Sequence, residues 1–242
     1  IAQGLGSVGS QAGDITLNAT GEIKIVGSDI FNNVRSQATG NSGNITISSG
    51  SLSLTDGAQI VAGTLGQGNA GNIAIAARDA ISLDTRGVYN NVQSRDAVGN
   101  AGNIDITTGS LTVQNGAQVN SFTRGQGNAG NVTIIARDAV TFDGIDGDGN
   151  RSGSYTDLYS DAVGRGGNID IQAGNVFIKN GAQISSSTFG RGDSGKISIT
   201  ARDTVSLSGQ GRSLILNNVD SGGVGNSGGI SINTGSLFLS DK

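Results

Sequence analysis

The sequence predicts an all-β solenoid of about eight stacked coils, each 28–37 residues long and built from three short strands. Three observations predict it. A glycine followed by an alternating apolar run recurs eight times, as Gly13-Asp14-Ile15-Thr16-Leu17, Gly43-Asn44-Ile45-Thr46-Ile47, Gly71-Asn72-Ile73-Ala74-Ile75, Gly102-Asn103-Ile104-Asp105-Ile106, Gly130-Asn131-Val132-Thr133-Ile134, Gly167-Asn168-Ile169-Asp170-Ile171, Gly195-Lys196-Ile197-Ser198-Ile199 and Gly228-Gly229-Ile230-Ser231-Ile232. The anchor glycines are 30, 28, 31, 28, 37, 28 and 33 residues apart, so short and long coils alternate in a double repeat of 58–65 residues. Within the short coils every apolar position returns at the same offset.

The first run of each coil alternates apolar and polar residues, the period-2 signature of a strand with one buried face. Ile45 and Ile47, then Leu52 and Leu54, then Ile60 mark three such runs in one short coil; Ile104, Ile106, Leu111, Val113 and Val119 repeat them, as do Ile169, Ile171, Val176, Ile178 and Ile184. Identical offsets stack like residue on like at the strand spacing of about 4.8 Å. Glycines mark the corners. The second and third runs are joined by Asp56-Gly57-Ala58-Gln59, Asn115-Gly116-Ala117-Gln118 and Asn180-Gly181-Ala182-Gln183, where the Asn/Asp-Gly step forms turns and the Gln side chains are expected to stack as amide ladders. Long coils place Ala77-Arg78-Asp79, Ala136-Arg137-Asp138 and Ala201-Arg202-Asp203 at the first corner, so charge recurs there only on alternate coils. Length variation is expected at one place, between the second and third strands of the long coils, near Asn32-Asn33-Val34, Asn90-Asn91-Val92, Asp157-Leu158-Tyr159 and Asn217-Asn218-Val219. Variable loops on a constant body are where a solenoid carries its specific contacts.

Composition narrows the function. The 242 residues include 42 Gly and no Pro, which suits a chain whose backbone N–H groups join ladders. Without Cys or His there is no disulfide, thiolate site, thiol nucleophile or imidazole base. The formal charge of −4, with basic residues scattered singly, offers no stripe for nucleic acid, and no apolar run is long enough to insert in a membrane. The chain is read as one β-helix segment over 1–242. It lacks Met and starts in mid-pattern, Ile1 in phase with Ile60 and Lys242 with Gly57, as expected of a piece of a longer protein with open edges at both cuts.

With its Gly-Asn-Ile-x-Ile starts, Asn-Gly-Ala-Gln turns and Ala-Arg-Asp corners in register, the chain resembles the repeat region of filamentous-haemagglutinin-like large exoproteins over essentially its whole length. The resemblance implies a right-handed parallel β-helix, export by two-partner secretion and a place outside a Gram-negative or cyanobacterial cell. The family's amino-terminal secretion domain is not in these residues.

Four candidate sites stand out. Arg191-Gly192-Asp193 looks like a receptor-binding tripeptide in an exposed loop, although the equivalent Gly66-Gln67-Gly68-Asn69 and Gly125-Gln126-Gly127-Asn128 reach it by two substitutions. Asp146, Asp148, Asn150 and Asp157 fall at positions 1, 3, 5 and 12 of a calcium-loop pattern, with Ser152 at position 7 and with Arg151 where the sharp turn wants Gly. Calcium is therefore the one candidate cofactor, against a solvated acidic insertion. Asp96, Asp161 and Asp220 project from corresponding loops and are the carboxylates a glycan-cleaving β-helix would use. The aromatics Phe31, Tyr89, Tyr155 and Tyr159 are read as filling the wider coils, with a sugar-stacking strip as the alternative. The expected function is a non-catalytic shaft of a secreted or cell-surface exoprotein or adhesin. Its expected partners are neighbouring coils, a surface glycan or receptor, and further copies through end-to-end or lateral association. A self-assembling fibre and a glycan-active enzyme are the alternatives.

Overall fold

The computed structural model describes residues 10–240, all of them strand, turn or irregular segment. Ile1 and Lys242, expected at the cut edges, lie outside the described residues. All the coil-to-coil pairings are parallel, and the strands form two long sheets that share one interior. The first sheet has eight rungs, from Ile15–Asn18 through Ile45–Thr55, Ile73–Asp84, Ile104–Gln114, Val132–Asp143, Ile169–Lys179 and Ile197–Ser208 to Ile230–Leu239, with Glu22–Val26 completing the first. The second sheet stacks Asp29–Phe31, Gln59–Val61, Val88–Tyr89, Gln118–Asn120, Gly153–Tyr155, Gln183–Ser185 and Leu214–Leu216. The chain is a parallel β-helix of about eight turns.

From the second coil to the seventh the three strands of each coil are present, and from the second coil onward the first two are joined. Ile45, Ile47, Leu52 and Leu54 lie in one strand of 11 residues that bends at Gly50. At that bend two residues of a long coil, such as Arg78 and Asp79, face one glycine of a short coil, and the register slips there in successive pairs. A Cβ on Gly109 would come within 2.2 Å of the Asp79 carbonyl oxygen, so the short coil tucks its corner beneath the bulge of the long one. The three Arg-Asp corners close on themselves as ion pairs of 2.7, 2.9 and 2.9 Å. Like charges on alternate coils thus become neutral pairs.

Asp56 and Gly57, Asn115 and Gly116, and Asn180 and Gly181 all have positive φ, between 53° and 85°. That is the geometry of a type I′ turn, which explains the choice of residues. The anchor glycines have a different reason. A Cβ on Gly71, Gly102, Gly130, Gly167 or Gly195 would meet the carbonyl oxygen of the previous anchor glycine at 1.9–2.1 Å. These residues are glycine because coils touch there, not because the chain needs an unusual turn.

Length varies at three places, not one. Besides the first corner, the turn between second and third strands ranges widely: Phe142 to Ser154 takes twelve residue steps where the paired Val113 to Val119 takes six. The Asn-Asn-Val segments follow the third strand instead of preceding it, and beyond them Val92 to Val98 takes six steps against three from Thr64 to Gln67. Single-bridge contacts at Val34, Thr64, Val92, Thr123, Leu158, Thr188 and Val219 hide these segments from hydrophobic periodicity, because each coil pairs there at one residue instead of along an alternating run.

Candidate functional site

Most polar side chains that recur are spent on holding coils together. The Oδ1 of Asp14, Asn44, Asn72, Asn103, Asn131 and Asn168 each accepts the backbone N–H of the equivalent residue one coil on, at 2.7–2.9 Å. A second column runs Asn41, Asn69, Asn100 and Asn128, reaching the backbone of Arg165. The amide ladders expected of Gln59, Gln118 and Gln183 are therefore built by Asn. A shorter side chain reaches the next backbone without spanning to another side chain, and Gln118 bonds instead to Asn120 and the Arg151 carbonyl. A buried column completes the set: Asn90, Ser121, Thr156, Ser186 and Asn217 bond across the interior to backbone groups of the anchor glycines.

The tripeptide candidate belongs to these columns. Arg191 bridges Val163 and Val224, Gly192 has the φ of +142° shared with Gly68 and Gly127, and a Cβ there would overlap the Gly164 carbonyl. The Asp193 carboxylate accepts the backbone N–H of Asn226 at 2.8 Å and its side-chain amide at 3.0 Å, which hold its pKa below the usual range. The segment is a rung of the ladder and does not protrude as a loop.

Three of the four cation candidates, Asp146, Asp148 and Asn150, sit in one hairpin, and Asp157 does not join them. Residues 144–152 form a small hairpin closed by the Ile145–Arg151 bridge, and within it Asp146 caps its own turn, accepting the N–H groups of Asp148 and Asn150 at 3.0 and 2.8 Å and the Asn150 amide at 2.7 Å. Those bonds, led by the Asn150 amide, hold the Asp146 pKa below the usual carboxylate range. Asp157 lies after the third strand, buried, with Oδ1 on the Ser185 hydroxyl and the Ser187 N–H, each at 2.7 Å. Among the described residues no three acidic side chains group as a metal site. The carboxylates of Asp96, Asp161 and Asp220 likewise stay on separate loops, Asp161 pairing with Arg95 at 3.5 Å.

What the longest coil, from Gly130 to Gly166, builds is a wall with two non-repeating features. The hairpin folds over three earlier coils and roofs a cleft of about 430 Å³ lined by Arg86, Tyr89, Gln118, Asp146, Asp148 and Asn150, among others. Burial raises the Tyr89 hydroxyl to about 12. Arg151 anchors the other side of the hairpin on the carbonyls of Gly181 and Arg212. Above the cleft, Tyr155 is buried with its hydroxyl on the Arg151 carbonyl at 3.0 Å, so it fills the wide coil as expected. Tyr159 does not. It stands in a partly exposed set of rings with Phe122, at 4.8 Å, and Phe189, at 6.4 Å. Phe122 and Phe189 come from short coils, and a sequence reading centred on the long-coil loops passes over them; aligning the coils by the Thr123–Leu158–Thr188 bridges places all three together.

Burial also pushes the Asp157 carboxyl up to about 6, against the bonds from Ser187 and Ser185 that favour its charge. Its column shows why an acid is tolerated. Asn33 and Asn91 occupy equivalent positions and accept the N–H of Gly63 and Phe122 in the same way. Asp157 thus stands in for an asparagine rung.

No protein-family model matches the chain, and no curated protein or solved structure matches it either.

Proposed function

We propose that this chain is a non-catalytic structural shaft, a rigid β-helix of the filamentous-haemagglutinin-like exoprotein kind, working outside the cell and offering its contacts from the wall that follows the third strand. The observation that carries this reading is the consumption of recurring polar groups in coil-to-coil bonding. The Asn columns, the buried seam onto the anchor glycines and the stacked Gly carbonyls extend along the described coils. Such groups serve length and stiffness, since each coil in a solenoid is stabilised chiefly by its neighbours. Variation is confined to the turns of the long coils, and this favours a contact role for them.

The test has two arms. Negative-stain microscopy of the purified chain should show straight rods about 38 Å long, the length of eight rungs. Incubation with a panel of plant, algal and bacterial polysaccharides should release no reducing ends. Turnover that disappears in Asp161→Asn or Asp220→Asn would replace the shaft by an enzyme.

A further inference from the structure

Thr123, Leu158 and Thr188 are fully buried where they bridge successive coils, and the residues that follow them, Arg124, Tyr159 and Phe189, are exposed or partly exposed and point outward. The column just after them runs Leu65, Gln93, Arg124, Tyr159, Phe189 and Asp220 on consecutive coils, and the column just before carries Phe122. An outward ring on a solenoid wall fills no interior. Yet three of the nine aromatic residues in the chain meet here. Phe122 meets Tyr159 edge-on at 67°, and Tyr159 lies nearly parallel to Phe189 at 26°.

Arg124 is the charged group at the centre of the set. Its guanidinium carbon lies 5.0 Å from the Phe122 ring centre and 4.8 Å from that of Tyr159. The side chain is exposed, and no carboxylate among the described residues pairs with it, whereas Arg95 on the previous coil has Asp161. A guanidinium supported by rings retains N–H donors for a planar anion, and its order is already established by the aromatic contacts.

We propose that the Phe122–Tyr159–Phe189 strip with Arg124 binds a strand of acidic polysaccharide, a glycan of uronic acids, laid along the helix axis. Two features of a uronate chain match the strip. The C–H face of a pyranose ring packs on an aromatic face, and its carboxylate accepts a two-pronged hydrogen bond from arginine. Coils repeat about every 4.8 Å, a distance close to that covered by one sugar of an extended chain, so successive coils address successive sugars. Gln93 and Asp220 continue the column on either side of the rings and supply an amide and a carboxylate for sugar hydroxyls. The inference rests on the reading of this wall as the contact surface and adds the class of ligand.

Calorimetric titration of the whole chain with hexamers of galacturonate, mannuronate and glucuronate, and with a neutral hexamer of glucose, tests it. At least one uronate hexamer should bind, with affinity falling as salt rises, and the neutral hexamer should bind at least about tenfold more weakly. Arg124→Gln and Tyr159→Ala should each weaken uronate binding about tenfold or more, the cost of a lost charge pair or stacking ring, while Arg124→Gln leaves the melting temperature unchanged. Binding of no uronate, equal binding of the neutral hexamer, or full binding by Arg124→Gln would each overturn the proposal. Uronate binding lost in Asp148→Ala but kept in Tyr159→Ala would place the ligand in the hairpin cleft, overturning the strip while leaving the contact-wall reading intact.

Discussion

Replacing Thr123 by valine should stabilise the protein. The Thr123 side chain is 0% exposed and its hydroxyl has no hydrogen-bond partner, and the same holds for Thr64 and Thr188. The three occupy one inward column on the short coils, where the intervening long coils carry Val34, Val92, Leu158 and Val219. Valine therefore fits with no change of shape, and its χ1 preferences are those of threonine. A buried hydroxyl without a partner costs about 1–3 kcal/mol, and the substitution recovers that amount while adding a buried methyl. For a chain of this size the gain corresponds to a rise in melting temperature of roughly 2–12 °C. The three sites are two rungs apart, about 10 Å, so their effects should add, and the triple variant should gain about 3–9 kcal/mol. Urea unfolding with an unchanged m-value would report the gain cleanly, since coils of a solenoid can open separately. Thr123→Ser is the control: it keeps the hydroxyl, removes a methyl, and should lose about 1 kcal/mol. A neutral or destabilising Thr123→Val would refute the reasoning, because it would mean that the hydroxyl is satisfied in the folded state.

Two further outcomes follow from the columns. Gly130→Ala should cost at least about 3 kcal/mol, because its Cβ would sit 1.9 Å from the Gly102 carbonyl oxygen and the Ser121 hydroxyl already occupies the inner side; a loss below 1 kcal/mol in chemical unfolding would mean that the coils separate easily. Asp157→Asn should raise stability at about pH 8 by up to roughly 3 kcal/mol and change little at about pH 4. The folded carboxyl, at about 6, is raised above its unfolded value. Its contribution is thus complete below the unfolded pKa near 4 and is lost as pH rises through 6. Parallel melting curves of wild type and variant across pH 4–8 would sink this account if they failed to diverge with rising pH.

The apolar frame is legible in the sequence because period-2 alternation reports directly on an inward face. Ile45, Ile47, Leu52, Leu54 and Ile60 are all 0–1% exposed, and the Asp56-Gly57 turn has the backbone its residues imply. The polar frame is harder to see, since a side-chain oxygen that reads the backbone of the next coil leaves no mark on hydrophobicity. A signal is nevertheless present: Asn follows the anchor glycine at 44, 72, 103, 131 and 168. Asparagine in that place looks like turn chemistry, and its true partner lies 28–37 residues away. The calcium pattern misleads for the opposite reason. Asp146 and Asp157 are near in sequence, but a whole strand, Gly153–Tyr155, passes between them and turns Asp157 into the wall. Phe122 and Phe189 become neighbours of Tyr159 only once the coils are set in register.

In the column that follows the anchor glycines, the asparagine side-chain bonds all run one way. Asn103 takes the N–H of Asn131, on the coil that follows, and gives its own N–H to Asn72, on the coil before. Within this column each coil holds its successor and is held by its predecessor, whereas the backbone also bonds in the opposite sense, as Ile104 N–H does on the Asn131 carbonyl. Truncating Asn103 at the side chain strips an acceptor from Asn131 and leaves the bond to Asn72 untouched, so faster amide exchange should appear only on the C-terminal side of the change. The loss of one such side chain is thus one-sided, felt first on the coil that follows it.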